Sequence, residues 1–267
     1  MSKQKKITLS FLRNDERFTS SLILKGNGKL KDFDNPETGE RFRYAQFNLL
    51  PIVTCPFRST GCETICYATK GNHRFSSVME SRKKATEFSK LPDFAERMIY
   101  TIGTEMTSGR YFNNIMLVRV HESGDFYSIQ YLRKWVSIWS HYLGMESGVR
   151  FIMYTKSFPF FNRLTETEKL VVNTALKSGL IAISASMDDT TSPEQKLAYL
   201  EFIKNFPRAN TYFCTEHPET VKHNNVCDCA DCARCGHCNR STGETNVVKI
   251  HSASKSDMET YRQNRTA

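Results

Sequence analysis

The sequence lacks any apolar run long enough to cross a membrane. Its longest apolar stretches, residues 49–53 and 181–185, are strand-sized, whereas a membrane helix needs roughly 20 residues. The basic N-terminal segment leads into mixed polar sequence, without the apolar core of a secretory signal. We therefore expect a cytoplasmic protein with no membrane partner.

Glycine signatures of nucleotide binding are also missing. Gly26 and Gly28 precede Lys29, but the rest of a phosphate-binding loop is absent and no Rossmann pattern occurs. The formal net charge of +9 is compatible with a nucleic-acid partner, because Lys and Arg neutralise phosphates. The basic residues are spread along the chain, so a basic surface without such a partner is an equal alternative.

The order of the predicted elements indicates an α/β fold. Helical patterns alternate with strands that are predicted at residues 46–53, 115–120, 150–154, 180–185, 210–213 and 246–251. Such alternation favours right-handed crossovers and a parallel sheet. We expect an incomplete parallel (β/α)6 barrel-like sheet over residues 46–251. An N-terminal cap or hairpin at residues 1–45 precedes it, and a loosely ordered polar tail at 252–267 follows.

Three of the nine cysteines lie close together after the first predicted strand. A reducing compartment disfavours disulfides, and an odd number leaves one cysteine unpaired. Cys55, Cys62 and Cys66 form a C-x6-C-x3-C run. Structural zinc usually uses C-x2–4-C pairs, which only the second gap matches, whereas an iron–sulfur cluster tolerates wider loops and accepts three thiolates. We expect a 4Fe–4S cluster here, with zinc or three inert thiols as alternatives.

A second cysteine-rich segment, residues 214–238, predicts a further metal site. Thiolates in a C-x2-C turn can face the same ion, and both zinc and a four-iron cluster fit the spacing. Cys214 follows a predicted strand and could complete either site. The predicted ligands here are Cys214, Cys229, Cys232, Cys235 and Cys238. Cys227 belongs to the same run, and spacing does not decide which of these cysteines bind.

Polar residues follow several predicted strands. Active sites of parallel sheets lie at the carboxyl ends of the strands, so these side chains should line one mouth. The predicted catalytic residues are His121, Glu122, Asp125, Lys156 and Asp188, and the predicted cofactor contacts are Tyr67, Ser123 and Gly124. In this interpretation the first three orient or protonate substrate, and Lys156 holds an anionic group. The structural alternative is that the carboxylates cap helices or pair with basic residues.

Several of these motifs together resemble a known phage family. The series includes Thr54-Cys-Pro56, Cys66-Tyr-Ala68, His121-Glu-Ser-Gly-Asp125, Tyr154-Thr-Lys156 and Ser186-Met-Asp188. Their order resembles the phage "gene product 88" domain family over roughly residues 25–251. The resemblance implies a phage or prophage origin and therefore the bacterial host cytoplasm. It implies no particular reaction.

The chain more distantly resembles the radical S-adenosylmethionine enzymes. Those proteins carry three cysteines after the first strand of a partial barrel, where they hold a cluster beside an aromatic residue. Here the spacing departs from their usual C-x3-C-x2-C, and Tyr67 follows the last cysteine. The resemblance implies S-adenosylmethionine as a ligand and redox or radical chemistry on an unknown substrate. The alternative is a zinc-stabilised, non-enzymatic phage accessory protein that binds nucleic acid or a host factor.

Overall fold

The computed structural model describes residues 24–25, 32–35, 38–107, 111–216, 226–227, 240–250 and 254–266. Across these residues it contains a nine-stranded sheet. The strands are β1 (Leu24–Lys25), β2 (Phe33–Asp34), β3 (Arg41–Phe47), β4 (Ile115–Val120), β5 (Val149–Thr155), β6 (Ile181–Asp188), β7 (Asn210–Thr215), β8 (Val226–Cys227) and β9 (Thr245–Lys249). Their spatial order is β1-β3-β4-β5-β6-β7-β9-β8, and β2 also pairs with β3.

The long strands are parallel and follow one another in sequence order. Parallel pairs run from β3 through β7 to β9, whereas β1 and β2 pair antiparallel with β3. Right-handed crossovers between strands in this order place the connecting helices on one face of the sheet. The sheet curls into an open half barrel, and we call the face without these helices the concave face.

Eight α-helices lie in the described part of the chain, and several of them begin at clear capping residues. They are α1 (Thr60–Thr64), α2 (Ser76–Lys90), α3 (Phe94–Met106), α4 (Ile129–Tyr142), α5 (Phe158–Asn162), α6 (Glu166–Ser178), α7 (Pro193–Asn205) and α8 (Lys255–Thr266). Ser128 accepts a hydrogen bond from the Tyr131 N–H at the start of α4, and Thr165 and Glu168 form a capping box on α6. No described helix is both long and apolar enough to span a membrane.

The main core lies between the helices and the convex face of the sheet. Side chains alternate along each strand, so Met116, Val118 and Val120 of β4 join this core while Leu117 belongs to a smaller apolar cluster on the concave face. Trp135 of α4 is fully buried in the main core. The fold is therefore mixed α/β, as the sequence predicts.

Two predicted segments differ from the structure. The strand predicted at 46–53 is wrong, because β3 ends at Phe47 and residues 51–54 form a turn in which Ile52 has a φ of 67°. Pro51 has no N–H to donate to a neighbouring strand. The tail predicted to be loosely ordered contains α8, whose Tyr261 is fully buried. Residues 1–23 lie outside the described residues, and the division into cap, barrel and tail stays a prediction.

The sequence predicts that His121 lines one mouth with the carboxylates of Glu122 and Asp125. In the structure His121 follows β4, but its ring lies in the core. The ring contacts Phe126, Tyr131 and Trp135, and its Nε2 lies 2.8 Å from the Tyr131 hydroxyl. The backbone is left-handed at this residue, with a φ of 66°, so strand alternation does not predict where the side chain points. Burial lowers the pKa of His121 to about 3.

We expect His121 to make the fold sensitive to acid. Its folded-state pKa of about 3 lies below the ordinary 6.5, so the unfolded chain binds more protons between these values. The free energy of unfolding should therefore fall as the pH drops below about 6.5, by up to about 1.4 kcal/mol per pH unit. Urea denaturation between pH 7 and 4.5 should show a shallower dependence for His121→Gln. The matched control, His141→Gln, changes an exposed histidine of α4; equal pH dependence in all three proteins would contradict the assignment.

Candidate functional site

The loop after β3 crosses the carboxyl ends of the strands and is tied to the loop after β4. The Leu49 N–H donates to the Ser123 carbonyl at 2.9 Å, and the Asp125 N–H donates to the Thr54 carbonyl at 3.1 Å. Gly124 has a φ of 84°, and a Cβ there would overlap Leu49 and Thr54. The Ser123 hydroxyl donates to the Leu49 carbonyl at 2.7 Å. Ser123 and Gly124, predicted to contact a cofactor, thus hold two loops together.

Asp125 connects this loop junction to the end of β5. Its buried carboxylate accepts hydrogen bonds from the N–H of Phe126 at 2.7 Å, the hydroxyl of Thr155 at 2.7 Å and the N–H of Lys156 at 2.9 Å. Burial raises the pKa of Asp125 to about 6, although these donors act in the opposite direction. The carboxylate therefore fixes backbone positions as well as contributing charge.

Lys156 and Asp188 form a buried ion pair at the mouth, which we define as the carboxyl ends of β4 to β7. Lys156 Nζ lies 2.8 Å from Asp188 Oδ2. The hydroxyls of Ser59 and Thr190 donate to the same carboxylate at 2.5 and 2.7 Å. Burial lowers the pKa of Lys156, but the interactions with Asp188, Cys62 and Cys214 together outweigh it and the pKa is raised. The structure thus brings together Asp125, Lys156 and Asp188.

Four cysteines share the electrostatic environment of this mouth. Burial raises the pKa of Cys55 to about 12 and that of Cys62 to about 11, and repulsion from Cys66 adds to both shifts. Burial also raises the pKa of Cys214, at the end of β7, to about 12, with further contributions from Asp188 and Cys62. All four thiols are free. Cys229, Cys232, Cys235 and Cys238 lie outside the described residues.

The thiols do not form a compact site for a single ion. Among the residues that the structure describes, no three His, Cys, Asp or Glu side chains are close enough together to hold one metal ion. The cysteines nevertheless influence one another's pKa values. The described part of the mouth thus brings several thiols into one electrostatic environment without forming a single-ion site.

Tyr67 and Glu122 occupy the side of the mouth near β4. The Tyr67 hydroxyl donates to the Glu122 carbonyl oxygen, and the Glu122 N–H donates to Asn48 Oδ1 at 2.8 Å. Burial raises the pKa of Tyr67 to about 12, while the charge of Arg119 acts in the opposite direction. Glu122 is only partly buried, so its carboxylate is the most accessible of the predicted catalytic carboxylates.

Helix α8 covers the short cysteine-bearing helix α1. The Tyr261 ring lies against Gly61, and Lys70 Nζ lies 2.5 Å from Asp257 Oδ2. Asn264 donates to the Thr64 hydroxyl at 3.2 Å. No motif marks α8 in the sequence, because it docks mainly through one aromatic residue. Sequence patterns also do not predict the contacts of Ser59 and Thr190 with Asp188, because isolated hydroxyls in loops give no pattern.

The fold and the mouth define an α/β half-barrel protein that presents cysteine thiols and a buried ion pair at the ends of its parallel strands. A family model described as Gene product 88 matches residues 21–241. The chain therefore belongs to the Gene product 88 family, and the phage-family resemblance of its motifs is confirmed. No curated protein and no solved structure matches the chain, so the resemblance to radical S-adenosylmethionine enzymes gains no support from these comparisons.

Gly61→Ala should displace α8. A methyl group at this position would overlap the Tyr261 ring and the Thr190 hydroxyl, and overpacking of this kind costs about 1–3 kcal/mol. Urea denaturation should show the loss, and hydrogen exchange should show faster exchange of α8 amides. The matched control is Gly103→Ala in α3, where an added Cβ meets nothing within 4 Å. It should be neutral or stabilise by up to about 1 kcal/mol; unchanged α8 exchange in Gly61→Ala would contradict the docking.

Lys156→Met should destabilise the fold strongly. Removing one partner of a buried ion pair leaves the other charge uncompensated and costs about 3–5 kcal/mol. The control is Lys169→Met, because Lys169 pairs with Glu166, whose side chain is 91% exposed. A surface pair contributes less than about 1 kcal/mol. Comparable losses in the free energy of unfolding for the two variants would show that the Lys156–Asp188 pair has no special role.

Proposed function

We propose that this member of the Gene product 88 family is a phage-encoded iron–sulfur protein that carries out redox or radical chemistry on a substrate at the mouth. The observation that carries the proposal is the convergence of Cys55, Cys62 and Cys66 from one loop with Cys214 from β7. The effects of these cysteines on one another's electrostatics indicate one shared, partly buried environment. Three thiolates are enough to hold a cluster whose fourth iron takes another ligand.

A cluster places a looser requirement on the separation of its thiolates than a single zinc ion does. Tetrahedral zinc with Zn–S bonds of about 2.3 Å draws its thiolates to within roughly 4 Å of one another. The described cysteines do not form such a group, yet they interact electrostatically. In a cluster each thiolate binds a different iron atom, so the sulfur atoms lie farther apart.

Lys156 favours the thiolates that a metal requires, although Asp125 and Asp188 act against them. Metal ligation requires thiolates, and Lys156 lowers the pKa of both Cys62 and Cys214 against the effect of burial. A bound cluster would supply one-electron chemistry. In this proposal Glu122 contacts substrate, Asp125 fixes the loops, and the Lys156–Asp188 pair supports the thiolates. S-adenosylmethionine is a secondary part of this hypothesis, because Tyr67 follows Cys66 and the cysteine spacing departs from the pattern of the enzymes that use this cofactor.

Anaerobic purification followed by iron, sulfide and zinc analysis tests the proposal. We expect a coloured protein with about four iron atoms for each cluster. Cys55→Ala, Cys62→Ala and Cys66→Ala should each lose about four iron atoms per chain with the matching sulfide. Thr60→Ala, an exposed position in α1, is the control and should keep the full content.

Two outcomes would contradict the proposal. A colourless protein with stoichiometric zinc and neither iron nor sulfide would favour the zinc-stabilised accessory protein that binds nucleic acid or a host factor. Iron content that is unaffected by all three loop substitutions would place any cluster in the cysteine-rich segment after residue 226, and the mouth would then have no metal role.

A further inference from the structure

The concave face of the half barrel contains buried polar atoms that make no hydrogen bond. Among the described residues these atoms include Arg119 Nε, Ser184 Oγ and Asn246 Oδ1. Ser184 is 1% exposed and Asn246 is 2% exposed. A buried donor or acceptor without a partner costs about 1–3 kcal/mol, so three of them on one face require an explanation.

Strand alternation places the three residues on the concave face in successive rows, because Arg119 is in register with Ile152, Ser184 with Tyr154, and Asn246 with Tyr212. We call these three residues and the two tyrosines the layer. Residues in register on parallel neighbours share a face. The Arg119 guanidinium lies 4.7 Å from the centre of the Tyr154 ring, and the Tyr154 and Tyr212 rings are 5.0 Å apart. The polar atoms are therefore linked by two tyrosines into a continuous surface.

Arg119 lies level with an apolar floor, and Ser184 and Asn246 lie nearer the cysteine mouth. The floor is the concave-face cluster of Phe42, Tyr44, Leu117, Ile152 and Ala182. Toward the mouth, β6 and β7 continue to Asp188 and Cys214, which are themselves in register. A small molecule that rests on the layer would thus contact apolar side chains at the level of Arg119 and would face the thiols toward the mouth.

Arg119 differs from the other arginine on this face. Arg150 is paired with Glu40, with Nη2 2.7 Å from Oε1, and lies over the Phe42 ring. No described residue makes a hydrogen bond or an ion pair within 4.0 Å with Arg119. Tyr154 lies against its guanidinium, and Tyr67 and Glu122 interact with its charge from farther away. A guanidinium is always charged and offers a planar fork of donors that matches a carboxylate or phosphate.

We propose that this layer binds the anionic group of a small-molecule substrate, with a carboxylate or phosphate on Arg119. Asn246 Oδ1 is an acceptor and Ser184 Oγ can donate or accept, so they suit a hydroxyl or amino group elsewhere on the same molecule. The inference rests on the proposed function only in taking this molecule as the substrate of the mouth. The anion site itself stands on the unpaired arginine and the shared face.

Calorimetric titration of the full-length protein with inorganic phosphate, and separately with acetate, at constant ionic strength tests the proposal. We expect one saturable site for at least one anion, and a loss of about tenfold or more in affinity for Arg119→Met. Arg150→Met, which removes a paired arginine from the same face, should keep the wild-type affinity. Binding of phosphate alone would indicate a phosphate ester, and binding of acetate alone a carboxylic acid. Absence of saturable binding to the wild type, or equal affinity in Arg119→Met, would overturn the proposal.

Two further measurements distinguish the anion site from a structural role of Arg119 and from the cluster proposal. Without added anion, Arg119→Met should unfold at about the same urea midpoint as the wild type, because no described residue makes a hydrogen bond or a close ion pair with Arg119 that the substitution would remove. A marked loss of stability would show that Arg119 is structural and overturn the inference. Iron, sulfide and zinc content should be unchanged in Arg119→Met. If the protein binds an anion but contains no metal, the anion site stands and the cluster proposal fails. If the protein contains iron and sulfide but binds no anion, the cluster proposal stands and the anion site fails.

Discussion

The carboxylate of Asp125 is the constraint on which the geometry of the mouth depends. It accepts hydrogen bonds from Phe126, Thr155 and Lys156, while its own N–H donates to Thr54, the residue before Cys55. One buried residue therefore joins the loop after β4, the end of β5 and the cysteine loop. Hydrogen bonds to a charged acceptor are shorter and stronger than neutral ones, and the raised pKa of about 6 still leaves Asp125 mainly ionised at neutral pH.

The position of the thiols follows from this junction. Asp125 fixes the backbone N–H of Lys156 at the end of β5. From there the lysine side chain reaches Asp188 at the end of β6 and interacts with the charges of Cys62 and Cys214. Ser59, at the start of α1, binds the same carboxylate and also accepts from the Cys62 N–H at 3.1 Å. The loop that carries Cys55 is thus held on one side by the backbone N–H of Asp125 and on the other by the carboxylate of Asp188.

Much of this arrangement could be predicted, and the exceptions have physical causes. β4 occupies the predicted residues 115–120 because a continuous apolar run marks a strand that is buried on both faces. The strand-end rule correctly grouped Asp125, Lys156 and Asp188. It failed for His121, whose left-handed backbone directs the ring into the core. It could not find Arg119, which lies within a strand, or α8, whose order comes from docking of Tyr261 on Gly61.

The family match divides these features along the chain. The matched residues 21–241 contain the cysteine loop, the Lys156–Asp188 pair and Arg119, whereas β9 with Asn246 and the covering helix α8 follow the matched segment. The groups that carry charge and sulfur thus lie in one part, and the C-terminal residues add an acceptor and a cover. Exclusion of water strengthens the interaction between charges. By covering α1, α8 therefore strengthens the attraction between Lys156 and Asp188.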